Sequence, residues 1–202
     1  NPGFQGDFST LWVDDDSPQT GTVGRVQEAV NLVSGSTIFV ADGTYAENIV
    51  IDKADLTLKA ANPLAAVISP SSGNIVRINA SDVTLDGFTL KFAGTTGSDG
   101  IYLSGPNAHI KNNLIEGFND TSLPMADWTA SWSNIHGILF SGTNDNALIE
   151  NNEITKWYTG VFNQSSTGVT YLNNNISHNR TGTAGDSVFD VTYQSNTFED
   201  NY

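Results

Sequence analysis

The apolar residues of this chain fall into runs three to five residues long, alternating with polar ones and closed by Gly, Asn, Ser or Pro. That pattern belongs to short, half-buried strands rather than to helices. Five octets superpose without a gap: Val83 to Leu90 (VTLDGFTL), Ala108 to Ile115 (AHIKNNLI), Ala147 to Ile154 (ALIENNEI), Val169 to Ile176 (VTYLNNNI) and Val191 to Phe198 (VTYQSNTF). Their starts lie 25, 39, 22 and 22 residues apart, which gives a period near 22 with an insertion in the longest interval. A sixth copy is expected at Leu56 to Lys59. A second column recurs in step with the first, through Ile49-Val50-Ile51, Ile75-Val76, Gly100 to Leu103, Gly137 to Phe140 and Gly160 to Phe162. Two strands per period that repeat together predict an all-β solenoid, a right-handed parallel β-helix whose coils stack about 4.8 Å apart.

Alignment of the copies gives each position a role. The pairs Leu56/Leu58, Val83/Leu85, Ala108/Ile110, Ala147/Ile149, Val169/Tyr171 and Val191/Tyr193 are expected to point inward as the core. Three residues after each second member come Phe88, Asn113, Asn152, Asn174 and Asn196, a file of Asn whose amides are expected to bond from coil to coil. The position before it, Gly87, Asn112, Asn151, Asn173 and Ser195, holds residues that tolerate a left-handed bend. Lys59, Asp86, Lys111 and Glu150 alternate in sign and are expected to form an exposed ladder of ion pairs, a structural role. In the strand around Arg77, Val76 and Ile78 are expected to take the core positions.

Only Thr22 to Val33 has helical spacing, through Val23, Val26, Val30 and Val33. An amphipathic helix there is expected to cap the first coil, since an open solenoid end exposes unpaired backbone. The division expected is one domain over residues 1–202, with an N-terminal segment and capping helix in 1–34, coils in 35–202 and an insertion at 117–136. No second cap follows the last repeat. Self-association or a downstream domain is therefore expected at the C-terminal end.

Charge removes some functions. With Lys+Arg 8 against Asp+Glu 22, the net charge of -14 repels phosphate backbones, so nucleic acid is not an expected partner. No apolar run approaches the roughly 18 residues of a membrane span. Cysteine is absent, so there is neither a disulfide framework nor a thiolate metal site. The start Asn1-Pro2-Gly3, with no initiator Met or apolar leader, suggests a mature protein or an excised domain. Asn, Ser, Thr and Gly in abundance with few Lys fit an extracellular or cell-surface location.

The stretch Val26 to Leu58 (VQEAVNLVSGSTIFVADGTYAENIVIDKADLTL) resembles the start of pectin lyase-like parallel β-helix proteins: a capping helix, the Thr37 to Val40 strand, Asp42-Gly43-Thr44-Tyr45, Glu47, then apolar strands. The repeats carry that resemblance to the C-terminus. It implies the fold and leaves activity open, because this scaffold hosts many functions. The catalytic sets of its pectinesterase, pectate lyase and polygalacturonase branches have no counterpart here, and His136-Gly137 is the nearest echo of the last.

The insertion is where ligand chemistry is expected. It holds Phe118, Asp127, Trp128 and Trp132, with Trp157 and Tyr158 one coil later. Aromatic rings beside carboxylates suit carbohydrate, and insertions from solenoid coils tend to form the binding face. The alternative is that both insertion Trp fold down as a local mini-core. Asp14, Asp15 and Asp16, with Asp7, offer oxygen ligands to Ca²⁺. A solvated acidic turn is the plainer reading, and no cofactor is expected beyond it. His109, His136 and His178 lie on different coils without a visible carboxylate cluster, which argues against zinc. The sequence thus points first to a non-catalytic extracellular or cell-surface domain for structure, assembly or adhesion that contacts glycan. The second reading is a carbohydrate-active lyase, esterase or hydrolase.

Overall fold

A computed structural model describes residues 9–16, 22–118, 135–142 and 144–201. The chain is a parallel β-helix. Among the described residues its strands stack into three parallel sheets of eight, seven and six strands. Sheet I runs from Thr10–Val13 through Thr37–Val40, Thr57–Ala60, Thr84–Asp86, His109–Lys111, Leu148–Glu150 and Thr170–Leu172 to Thr192–Gln194. Sheet II begins at Gly43–Tyr45 and ends at Thr197–Glu199. Sheet III comprises Ile49–Ile51, Val76–Ile78, Ile101–Leu103, His136–Phe140, Thr159–Gln164 and Thr181–Asp186.

The aligned columns become vertical files. Leu58, Leu85, Ile110, Ile149, Tyr171 and Tyr193 stack in register in sheet I. All the inward pairs are buried until the last described coil, where Tyr193 is 50% exposed at the edge of the described stack. Val76 and Ile78 are buried and Arg77 points out, as their alternation requires. The corner between sheets I and II is the expected bend: Gly87, Asn112, Asn151, Asn173 and Ser195 all have φ between 54° and 84°.

Behind that corner the asparagines form the expected ladder. Asn113, Asn152 and Asn174 each donate from Nδ2 to Oδ1 of the next Asn, at 3.1, 3.0 and 2.9 Å. Each Oδ1 also accepts the backbone N–H one coil back, so the file closes polar groups that would otherwise be orphaned inside. A second ladder, unforeseen, lines the end of sheet II. Asn201 accepts from Asn179, Asn179 accepts from the backbone of Trp157, and Trp157 finishes the file with its indole N–H on Ile115 O at 2.9 Å.

Two expectations change in detail. The helix spans Arg25–Leu32, and it buries Val26, Ala29 and Val30 while Val23 is exposed before its start. Its free N–H groups are closed by Glu47, whose carboxylate accepts from Val26 N at 3.1 Å and Gln27 N at 2.9 Å. The charged column is also different from an exposed alternating ladder. Asp86 is buried between Lys59 at 3.2 Å and Lys111 at 4.0 Å, and Glu150 turns to His109 at 2.9 Å instead of Lys111. The strand Thr10–Val13 precedes the helix and pairs with Thr37–Val40, so sheet I starts within the segment assigned to the cap.

Candidate functional site

The outer face of sheet III is the one most unlike a solvated surface. Its middle file reads Val50, Arg77, Tyr102, Leu139, Phe162 and Ala184, in register across six coils. Tyr102, Leu139 and Phe162 are only half-buried, so an apolar stripe runs along the axis in the open. The chain can pass close behind it because glycine repeats there. A Cβ on Gly100, Gly137 or Gly160 would lie 2.6, 2.5 or 2.6 Å from the carbonyl oxygen of the next coil.

Polar groups flank the stripe on both sides. On one side Asn79 donates to Asp52 at 2.6 Å, and Ser104 Oγ donates to Asn79 Oδ1 at 3.1 Å. That same Oδ1 accepts from Arg77 Nε at 2.9 Å, which helps hold the guanidinium 4.3 Å above the Tyr102 ring. On the other side Asp99 and His136 meet from adjacent coils. Asp99 Oδ1 accepts from His136 Nδ1 at 2.8 Å and from the His136 backbone N at 3.1 Å, while Asn74 Oδ1 anchors the Asp99 backbone N at 3.2 Å. Asp99 is 5% exposed.

This pairing has a chemical consequence. A carboxylate only accepts, so Nδ1 carries a proton, and in the neutral form of the ring Nε2 is the nitrogen left to accept one. No partner for Nε2 is found among the described residues. The imidazole packs 5.2 Å from the Phe162 ring, which brings it to the apolar stripe. Another cation–aromatic pair lies farther along the axis, where Arg180 sits 4.3 Å over Tyr158 and donates to its hydroxyl.

The residues singled out from sequence divide. Asp127, Trp128 and Trp132 lie outside the described residues, in the segment that leaves after Phe118 and rejoins at Ile135 beside His136. Phe118 is half-buried and meets Phe92 edge-on at 5.7 Å. Tyr158 is partly buried under Arg180. Trp157, expected on an open platform, has 0% exposure and fills the interior, so its ring has no face to offer a ligand. Asp14, Asp15 and Asp16 do bring carboxylate oxygens within 4.8 Å of one another. Two of them are occupied locally, Asp15 by Thr44 N at 3.1 Å and Asp14 by Asp16 N at 3.1 Å. Each His in fact has a carboxylate partner on another coil, His178 with Asp200 at 3.5 Å completing the set. Sequence reasoning missed Asp99 and the stripe, although the middle residues of the second strand column carried the signal.

No protein-family model and no curated protein matches the chain. Solved structures do match in fold. A pectin methylesterase in complex with a hexasaccharide aligns with TM-score 0.58 and 14% identity over 91% of this chain and 66% of that one. The catalytic unit of a GH87 α-1,3-glucanase from Streptomyces thermodiastaticus aligns with TM-score 0.61 and 16% identity over 98% of this chain and 42% of that one. A mannuronic acid specific family 6 polysaccharide lyase from human gut microbiota aligns with TM-score 0.53 and 15% identity over 94% and 59%. The fold is that of the pectin lyase-like β-helices, and the chain spans less than two thirds of the length of these proteins.

Proposed function

We propose that this pectin lyase-like β-helix is a carbohydrate-active protein that binds a polysaccharide strand along the outer face of sheet III and acts on it through His136. The observation that carries the reading is the buried Asp99 that orients His136 through Nδ1, beside a half-buried apolar stripe. Tyr102, Leu139 and Phe162 offer apolar contact to sugar C–H groups, and the flanking Asn, Ser and Arg side chains offer hydroxyl partners. Coils stack about 4.8 Å apart, close to the length of one pyranose unit, so a chain laid along the axis meets a new coil at each step. A single oriented base suits proton abstraction or water activation rather than a two-carboxylate glycosidase, because Asp99 is already committed to His136. The fold neighbours, all carbohydrate-active, favour this over the non-catalytic role that sequence put first. An extracellular or cell-surface location goes with it, and no described helix is long and apolar enough to cross a membrane.

The test is incubation with neutral, acylated and uronate polysaccharides, with and without Ca²⁺, followed by assays for reducing ends, unsaturated products and released acid. Turnover by the wild type is expected to fall about 10²–10⁴-fold in His136→Ala and to fall also in Asp99→Asn, where the ring loses its tautomer control, with the melting temperature kept. Binding without turnover on every substrate would return the protein to a structural or adhesive role.

A further inference from the structure

A separate aromatic site lies at the other end of the molecule, on sheet I. Trp12 is 66% exposed, among the most open large apolar side chains of the described residues. One face of its indole is stacked on Phe39 in the next coil, at 4.9 Å and 18°. Among the described residues no other ring stacks on Trp12. Trp12 also lines a cavity of about 240 Å³ together with Leu11, Asp14, Arg25, Glu28 and Leu32, between the first strand with the residue after it and the capping helix.

From this we infer that the Trp12 cavity is a second glycan-binding site, taking one ring of a neutral saccharide. The volume suits a ring-sized ligand and is too small for a helix or strand from a protein partner. A flat indole face offers contact to the C–H face of a pyranose. Asp14 and Glu28 carboxylates accept from sugar hydroxyls, the donors a neutral saccharide carries around its ring. Charge narrows the class further. Two carboxylates in a chain of net charge -14 disfavour uronates, and Arg25 in the wall disfavours an ammonium ligand, the other chemistry an aromatic ring attracts. The site shares no residue with the face of sheet III, so it stands or falls independently of the activity proposed there.

Cello-, xylo- and mannohexaose serve as neutral probes, oligogalacturonate as the anionic one and tetramethylammonium as the cationic one, each titrated into the intact chain by calorimetry and indole fluorescence. To silence the other face, the titrations are repeated in a Tyr102→Ala/Phe162→Ala background. At least one neutral hexaose is expected to bind in that background, weakened about tenfold or more by Trp12→Ala and several-fold by Glu28→Ala, with Trp12→Phe retaining part of the affinity. Glu28 is exposed on the helix, so its loss reports on binding without disturbing the Trp12–Phe39 stack. The proposal is overturned if no neutral probe binds, if binding is indifferent to Trp12→Ala and Glu28→Ala, or if only tetramethylammonium depends on Trp12.

Discussion

Single residues in this fold are governed by which side of a strand they occupy, and the consequences reach their acid–base behaviour. Tyr45 faces the interior of sheet II, donates to Ala41 O at 3.0 Å, and lies close to the acidic turn of residues 14–16. Burial first, then the Asp15 and Asp14 charges, push its phenol from 10.0 up to about 12. The unfolded chain gives up this proton near 10 and the folded chain does not, so stability is fully present below pH 10 and is lost as pH rises toward 12. Tyr171 and Tyr193, raised chiefly by burial, act in the same direction. An absorbance titration is expected to show delayed phenolate formation that coincides with unfolding, and Tyr45→Phe is expected to flatten the alkaline loss. The same parity explains what was legible. Val76 and Ile78 inward with Arg77 outward follows from alternation alone, whereas Trp157 broke the reading because it occupies a ladder position usually held by Asn.

At the scale of elements, the two corners adjoining sheet II do more than turn the chain. Asn152 accepts from Asn113 N and Nδ2 at 3.0 and 3.1 Å and donates to Ile110 O and Asn174 Oδ1 at 2.9 and 3.0 Å. Asn152→Ala strands several of these groups in the interior and is expected to cost about 3 kcal/mol in urea unfolding, against about 1 kcal/mol for Asn196→Ala on the open last rung. Equal costs at the two positions would show that the inner ladder adds nothing. This ladder was readable because its members recur at the period of the repeat. The Asp99–His136 pair was passed over: its members, 37 residues apart, directly precede the aligned Gly100 and Gly137, but as two unlike residues they form no repeating column that draws the eye. The capping helix was readable in its apolar face, while its true start depends on Glu47, a residue nearly a full turn of the solenoid away.

For the molecule as a whole, the two ends are unequal. The first coil is covered by the helix and clipped by Glu47, whereas the last described strands of sheets I and II are exposed along their length, with Tyr193 and Phe198 near half-exposed. In a stack where each coil touches only its neighbours, protection accumulates with distance from coils whose strands are exposed. Hydrogen exchange is expected to be fastest in Thr192–Glu199, slower in Thr170–Ser177 and slowest near Leu85 and Ile110. A flat profile along the axis would contradict this. Asp99 and His136 sit inward of the loosening coils, held between neighbours on both sides. Loosening of the last described coils would thus leave the middle of the sheet III face assembled, much as a rope can fray at its tip while its middle still bears weight.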